Sequence, residues 1–179
     1  MAKKKAAQNR QSALTLLEEY KTAYQTRNLE IQLFWQRSNY FLVLNTAIVT
    51  GVALKLGSAE PLVGVFIAFG ILVSSLWYRV NLGSKFWQSR WEQKLHDLEV
   101  QLAPSVTMFS SSRGEILDDV RRSVESPAGE AWWRHLVNNH ILSKPSVSRN
   151  MLILSAGFVG LYLSLLIVWI IRLIWGNAA

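Results

Sequence analysis

Three long apolar runs divide this chain, and nearly all of its charged residues lie outside them. The first two runs, residues 40–56 and 62–80, have roughly 17–19 residues each, against the roughly 17–25 that a helix needs to cross a bilayer. Neither carries the polar stripe that a surface helix of a soluble protein usually shows. The sequence therefore predicts a transmembrane helical hairpin with its turn at residues 57–61.

A third apolar run predicts another transmembrane helix, over residues 150–175. Lysine and arginine are concentrated before the hairpin and within residues 81–148, whereas Lys55 lies beside the turn. Because basic residues favour the cytoplasmic side of a membrane, the N-terminus and residues 81–148 are predicted to be cytoplasmic and the C-terminus periplasmic. This topology accounts for most of the net charge of +7, so nucleic acid is disfavoured as a partner.

Helical patterns extend both hairpin helices beyond the membrane. Residues 12–39 carry one apolar stripe, and residues 81–102 carry a second: Phe86, Trp87, Trp91, Leu95, Leu98 and Leu102. Pro104 ends the second helix, because proline cannot continue the helical hydrogen-bond ladder. The two extensions are predicted to pack antiparallel as a cytoplasmic stalk, preceded by a basic disordered tail at residues 1–11.

Residues 103–149 predict a small cytoplasmic helical module. Ser112-x-x-Glu115 is a capping box that opens one short helix, Ser126-Pro127 begins another, and Pro145 lies in a linker before the last run. Two short helices cannot form a core of their own, so they must pack on the stalk or on a neighbouring subunit. The predicted fold class is an all-α membrane protein.

Four residues of the hairpin are candidates for helix packing or for lining a pore. Asn45 is the one strongly polar side chain of the first span, and it is interpreted either as an interhelical hydrogen bond or as a pore-lining group. Lys55 is expected to reach the outer headgroups. Gly51 and Gly64 each belong to a pair of small residues four apart, which permits close helix approach.

Tryptophans outside the apolar runs predict an interface. The stalk and the small module carry more aromatic surface than one antiparallel helix pair can bury, and exposed apolar patches usually mark association sites. The candidates for an oligomer or stalk interface are Trp35, Trp87, Trp91, Trp132 and Trp133.

Little in the sequence supports catalysis. Arg134-x5-His140 superficially matches the spacing of HEPN ribonucleases, but a step of six residues puts the two side chains on different faces of a helix. His135 and His140 lack the cysteine or carboxylate partners of a metal site. There is no phosphate-binding loop, no dinucleotide-binding glycine pattern and no cysteine. The protein is predicted to be non-enzymatic, without cofactor or metal, and Arg134 with His140 remains as a candidate RNA-cleaving pair.

Two segments around the hairpin resemble a known family. These are Arg37–Thr46 (RSNYFLVLNT) and Trp77–Trp87 (WYRVNLGSKFW), with Glu92, Leu95 and Glu99 beyond them. They are similar to the RipA-family octameric membrane proteins of bacteria, and more distantly to two-span SLATT effectors and to the octameric membrane accessory protein of type VI-B CRISPR systems. The resemblance covers about residues 12–102, and residues 103–149 match nothing. It implies a ring-forming, non-enzymatic inner-membrane protein.

The sequence thus predicts a homo-oligomer, an octamer if the resemblance holds, in the bacterial inner membrane. Its membrane part is expected to form or gate a pore in a stress or defence response, and its cytoplasmic part to hold a protein partner. The alternative is an oligomeric membrane scaffold that recruits cytoplasmic partners without conducting. The third hypothesis is a membrane-tethered nuclease.

Overall fold

The computed structural model describes residues 2–55, 60–102, 108–124, 132–144 and 146–176, and these residues form an all-α fold. The five helices are α1 (Ala2–Lys55), α2 (Pro61–Leu102), α3 (Arg113–Val124), α4 (Trp132–Leu142) and α5 (Val147–Gly176). The predicted fold class is confirmed as far as its helical content.

The chain divides into two compact units. The first unit consists of Met1–Glu30 and Trp87–Ser146, and the second unit of Ile31–Phe86 and Val147–Ala179. The first unit therefore contains residues 2–30 of α1 and 87–102 of α2, which we call the outer parts of these helices, together with α3 and α4. The second unit contains the rest of α1 and α2, their inner parts, together with α5.

The buried face of α2 repeats every seven residues along nearly the whole helix. The residues of this repeat are buried or half-buried: Val63, Ile67, Gly70, Ser74, Trp77, Asn81, Ser84, Gln88, Trp91, Leu95, Leu98 and Leu102. Val73 and Glu99 are also buried, each one residue beside the repeat. Their alternating steps of four and three residues are the spacing of a coiled-coil seam, which keeps one face toward its partner when helices supercoil to the left. One repeat therefore serves both units.

The middle of this face differs from the stripe that the sequence predicts. Phe86 and Trp87 are 62% and 45% exposed, whereas Ser84 and Gln88 are buried. Following apolar residues alone gives the wrong face here, because the buried row is polar in this segment. Small polar side chains let helices approach closely, so they can occupy a packed face between apolar ends.

The core of the second unit joins three helices. Ile48 and Val52 of α1 cluster with Val63 and Ile67 of α2 and with Tyr162 of α5. An aromatic stack follows the same path: the Phe41 and Trp77 rings lie 6.2 Å apart at 7°, and Trp77 lies 5.9 Å from Phe158. Helix α5 thus packs directly on the α1–α2 pair.

Two glycines of α2 make room for α5. A Cβ added at Gly64 would lie 2.7 Å from the Trp169 ring, and a Cβ at Gly70 would overlap the ring of buried Tyr162. Glycine is needed at both positions because an aromatic side chain occupies the space of a methyl group.

The core of the first unit joins the antiparallel outer parts of α1 and α2. Ala23 packs with Leu95 and Leu98, and Leu16, Tyr20, Trp91 and Phe109 lie against them. Two ion pairs flank this core, Arg27 with Glu92 at 3.4 Å and Lys94 with Glu19 at 3.9 Å.

Helix α3 begins at the predicted capping box, which is confirmed. The Ser112 N–H donates to Glu115 Oε2 at 2.7 Å, and the Glu115 N–H donates to Ser112 Oγ at 3.3 Å. The Asn138 amide of α4 donates to the Val124 carbonyl at the end of α3. The predicted roles of Pro104, Ser126-Pro127, Pro145 and the turn residues 57–59 lie outside the described residues.

The N-terminus differs from the prediction. The sequence predicts a disordered tail at residues 1–11, whereas α1 begins at Ala2. The physical reason is composition: this segment contains alanine, lysine, glutamine and arginine, which favour helix, and it lacks glycine and proline.

Two described helices are long and apolar enough to cross a membrane, α2 and residues Val147–Trp175 of α5. They contain the second and third predicted spans. The first predicted span, in α1, is not among them; its last residue, Leu56, lies outside the described residues, and its polar residues include Asn45, Thr46 and Thr50. The hydroxyls of Thr46 and Thr50 donate to the carbonyls of Leu42 and Thr46 on the same helix, so these polar groups are satisfied locally.

The glycine contacts predict a paired outcome. Gly70→Ala should displace the buried Tyr162 ring and destabilise the protein by roughly 1–3 kcal/mol, the usual cost of overpacking. Gly83→Ala is the matched control, because a Cβ there meets nothing within 4 Å. Thermal unfolding in mild detergent should show a lower midpoint for Gly70→Ala and an unchanged or higher midpoint for Gly83→Ala. Equal midpoints for the two variants would contradict the α2–α5 contact.

Candidate functional site

A buried polar cluster joins the three helices of the second unit. The Asn45 side chain is fully buried, and its amide donates to the Phe41 carbonyl at 2.8 Å. The Ser74 hydroxyl of α2 donates to Asn45 Oδ1 at 2.6 Å, and the Tyr162 hydroxyl of α5 donates to the Asn45 backbone carbonyl at 3.0 Å. We refer to Asn45, Ser74 and Tyr162 as the Asn45 cluster.

The chemistry of asparagine explains why one residue can hold two neighbours. Its amide satisfies a carbonyl one turn earlier on α1, which leaves Oδ1 as an acceptor directed at α2. A polar group without a partner is costly in an apolar environment, so the neighbouring helices must supply the complementary groups. The Asn45 cluster therefore fixes the rotation of α1, α2 and α5 about their axes.

A second polar contact ties α2 to α5. Asn81 donates to the Met151 carbonyl at 3.2 Å and to Ser155 Oγ at 3.4 Å, and Asn81 and Ser155 are both buried. The Ser155 hydroxyl bonds to carbonyls of its own helix. Asn81 Oδ1, Ser38 Oγ and Ser84 Oγ are buried without a hydrogen-bond partner in the described structure.

The other predicted hairpin residues lie apart from the Asn45 cluster. Lys55 is exposed at the end of α1, and its ammonium lies 3.8 Å from the Glu60 carboxylate. Gly51 has nothing within 4 Å of an added Cβ, whereas Gly64 receives the Trp169 ring. In the single chain the structure thus directs Asn45 inward to Ser74 and Tyr162, and Gly64 toward α5.

A buried carboxylate organises the first unit. Glu99 is 2% exposed and accepts three backbone N–H groups of the segment after α2, those of Met108, Phe109 and Ser110, at 2.7–3.0 Å. The Tyr20 hydroxyl of α1 also donates to it, at 3.3 Å. Glu99 therefore connects α1, α2 and this segment.

The electrostatics of Glu99 follow from these contacts. Burial alone would raise the pKa of the carboxyl group, but the hydrogen bonds from the Phe109 amide, from the side chain and amide of Ser110 and from the Met108 amide outweigh it and lower the pKa. Burial, together with the negative charge of Glu99, raises the pKa of Tyr20. Because folding lowers the Glu99 pKa, its stabilising effect is present above the unfolded value of about 4.3 and is lost as the pH falls through the folded value.

Sequence reasoning did not identify Glu99 as an anchor. The signal available was its position beside Leu98 on the buried face of α2, where a charged residue needs partners. Those partners are backbone groups of residues 108–110, and a side-chain pattern does not reveal backbone groups.

The predicted tryptophan interface is dispersed in the single chain. Trp91 is half-buried against the core of the first unit. Trp35 and Trp87 are 42% and 45% exposed, and Trp132 and Trp133 of α4 are 75% and 51% exposed. The guanidinium groups of Arg90 and Arg134 lie 5.6 Å from the ring centres of Trp87 and Trp133.

The structure adds no chemistry to the predicted RNA-cleaving pair. Arg134 and His140 are both exposed on α4, and the Arg134 guanidinium lies over Trp133. The side chain of His135 lies outside the described residues. Among the residues that the structure describes, no group of three or more histidines and carboxylates could hold a metal ion.

The fold and the buried polar contacts define a class, an all-α membrane protein in which a helical hairpin packs with a further apolar helix. A family model described as the octameric membrane protein family (8xMP) matches residues 17–172. The chain belongs to this family. Comparison with curated proteins and with solved structures finds no match.

The family match extends the resemblance seen in the sequence. That resemblance stops near residue 102, whereas the match continues through α3, α4 and most of α5. The helix that completes the Asn45 cluster is thus part of the family pattern. The narrower assignment to RipA proteins stays a prediction.

Glu99 gives a local prediction. Glu99→Gln places an amide donor against N–H or O–H donors whichever way it is oriented, because each Glu99 oxygen accepts two bonds. Hydrogen bonds to charged groups are worth about 1.5–3 kcal/mol, so amide protection at Phe109 and Ser110 should fall roughly tenfold or more. Hydrogen exchange with mass spectrometry measures this. Glu92→Gln, which removes a more exposed ion pair, is the control, and equal protection in the two variants would disprove the anchor.

Proposed function

We propose that this protein is a homo-oligomeric scaffold of the bacterial inner membrane, which displays its first unit to cytoplasmic protein partners. It crosses the membrane three times, with residues 40–56, 62–80 and 150–175, so that the N-terminus is cytoplasmic and the C-terminus periplasmic. Membership of the octameric membrane protein family supports assembly, and we propose an octamer.

One observation favours a scaffold over a permanent pore: in the uncharged middle of each proposed span, the polar side chains of Asn45, Ser74 and Ser155 point into the chain's own second unit. Asn45, Ser74, Asn81 and Ser155 are each at most 1% exposed. Three described polar side chains are exposed within residues 41–54, 62–77 and 151–171, those of Thr46, Thr50 and Ser164. Each donates a hydrogen bond to a carbonyl of its own helix. Pores need polar groups on a surface that water reaches.

Helix α5 supports assembly. The most apolar stretch of this helix has a mean hydropathy of 2.4, and only 11% of its residues are buried within the chain. Lipid or other subunits must therefore cover the remaining residues. Ala156, Gly160 and Ser164 form an exposed row of small residues on it. Such rows allow close packing of membrane helices, and within the chain no atom lies within 4 Å of a Cβ at Gly160.

A pore formed or gated in a stress or defence response is the second candidate, and the exposed threonines of α1 favour it. Thr46 and Thr50 are one turn apart on the same exposed face. In a ring of subunits such a face could line a narrow passage with hydroxyl groups. The test of this candidate is conductance.

The proposed assembly predicts that substitution of Trp87, an exposed tryptophan of the first unit, changes the number of subunits. Trp87→Ala should lower the assembly state, because it removes a large exposed apolar side chain without opening the core. Trp91→Ala should also lower it, but this variant disturbs the Ala23, Leu95 and Leu98 core as well. Native mass spectrometry from mild detergent measures the subunit number, with Gln93→Ala as the exposed control. A monomeric wild type, or an octamer that survives Trp87→Ala, would count against this interface.

The scaffold predicts no conductance. Purified protein reconstituted in liposomes should release no trapped dye, and overexpression should not arrest growth. If the wild type leaks and the double variant Thr46→Val with Thr50→Val leaks less, the pore is correct and the scaffold is wrong. The substitutions keep side-chain shape, so a loss of leakage would report the hydroxyl groups.

A further inference from the structure

The apolar side of α4 is directed outward from the rest of the first unit. At about 100° per residue, Trp132, Trp133, Leu136, Val137 and Ile141 fall within one arc of roughly 180°, in which the exposed His140 is the one polar residue. Their exposed fractions run from 43% to 75%. An 11-residue helix that leaves five large apolar side chains in water is missing a surface to bind.

The side of α4 that faces its own unit is the opposite one. Asn138 and Leu142 are half-buried, and the Asn138 amide holds the Val124 carbonyl of α3 at 3.0 Å. Contact with α3 therefore turns the apolar arc away from α3. The hydrogen bond from Asn138 to the Val124 carbonyl thus determines which side of α4 faces outward.

The charge of the neighbouring sequence indicates what covers the arc. From residue 131 to the C-terminus there is no aspartate or glutamate, whereas Arg134, Lys144 and Arg149 flank the arc and the start of α5. Tryptophans on the apolar face of a helix, with basic residues in and beside that helix, are typical of helices that lie in the surface of an anionic bilayer. A second protein surface would not require this absence of acidic residues.

Chain length restricts the position of α4 in the same way. Only residues 143–146 separate α4 from α5, and such a connection spans less than about 20 Å. If α5 crosses the bilayer, α4 must therefore remain near the surface where α5 enters. At 11 residues α4 is too short to cross the membrane itself.

We propose that α4 is an interfacial helix that binds the anionic surface of the cytoplasmic leaflet, with Trp132, Trp133, Leu136, Val137 and Ile141 in the headgroup region. Arg134 and Lys144 bind acidic headgroups. This inference rests on the part of the proposed function in which α5 spans the membrane, and it is independent of assembly and conductance.

The absence of native cysteine allows a direct test with single labels. An environment-sensitive fluorophore is attached to Leu136→Cys on the apolar arc, to Ser123→Cys on exposed α3, or to Ile167→Cys on the exposed face of α5. The full-length protein is placed in nanodiscs with brominated acyl chains, with or without phosphatidylglycerol. Quenching at residue 136 should be at least about twofold stronger than at residue 123, and stronger with the acidic lipid.

The outcomes separate the possible explanations. A label at residue 136 that is shielded from water but not quenched by brominated lipid lies against protein, a second copy of the chain for instance, and overturns the inference. A label at residue 136 that stays in water also overturns it. Quenching at residue 167 with none at residue 136 rejects the interfacial helix alone, whereas no quenching at either rejects the membrane span of α5 too.

A charge variant supplies a second readout. Arg134→Gln with Lys144→Gln should remove most of the dependence of quenching on phosphatidylglycerol and leave the label at residue 167 unchanged. If the dependence on acidic lipid persists unchanged, the assigned basic residues do not bind the headgroups and this part of the proposal is wrong.

Discussion

The arrangement of the second unit depends on one asparagine that satisfies three demands at once. Asn45 accepts a hydroxyl from α2 through its side chain and a hydroxyl from α5 through its backbone, and it closes its own amide onto α1. In an apolar environment Asn45 Oδ1 and the Tyr162 hydroxyl would otherwise be unsatisfied, and apolar packing alone sets helix rotation only weakly. The close contacts of Gly64 and Gly70 with aromatic rings of α5 are possible only at the rotation that these hydrogen bonds select.

The seven-residue repeat of α2 continues through the part of the helix that belongs to the first unit. Toward the start of the helix the repeat contains Val63 and Ile67, and toward its end Leu95 and Leu98. Between these apolar ends it also contains the polar residues Ser74, Asn81, Ser84 and Gln88. The spacing of buried positions therefore continues although these side chains are not apolar. At the far end Glu99 anchors the following segment through backbone amides. One helix thus uses three kinds of contact on a single face.

Sequence patterns predicted the elements better than their contacts. The apolar runs and the Ser112 capping box place helices correctly, because they depend on local spacing. The exposure of Phe86 and Trp87 could not be predicted from apolar spacing, because the buried row of α2 consists here of the polar residues Ser84 and Gln88. The N-terminal helix was missed because high charge was weighed above helix propensity. Glu99 was missed because its partners are backbone amides nine to eleven residues further along.

The packing of α5 against α1 and α2 could not be predicted from the sequence either, because the apolar pattern of α5 indicates only a separate span. Its Tyr162 hydroxyl reaches a backbone carbonyl, and such an acceptor has no sequence signature. The family match through residue 172 agrees with a fold that includes this helix.

The same contacts bear on whether a scaffold and a pore are separate alternatives. Turning Asn45 toward water would break its bonds to Ser74 and Tyr162, and hydrogen bonds between membrane helices average about 0.6 kcal/mol and reach about 1.7. Two such bonds hold the inward arrangement by an amount comparable with the gap of a few kcal/mol between two populated conformations. A conducting state would therefore require a rotation of α1, α2 and α5 that breaks these two bonds, and it would not require a different fold.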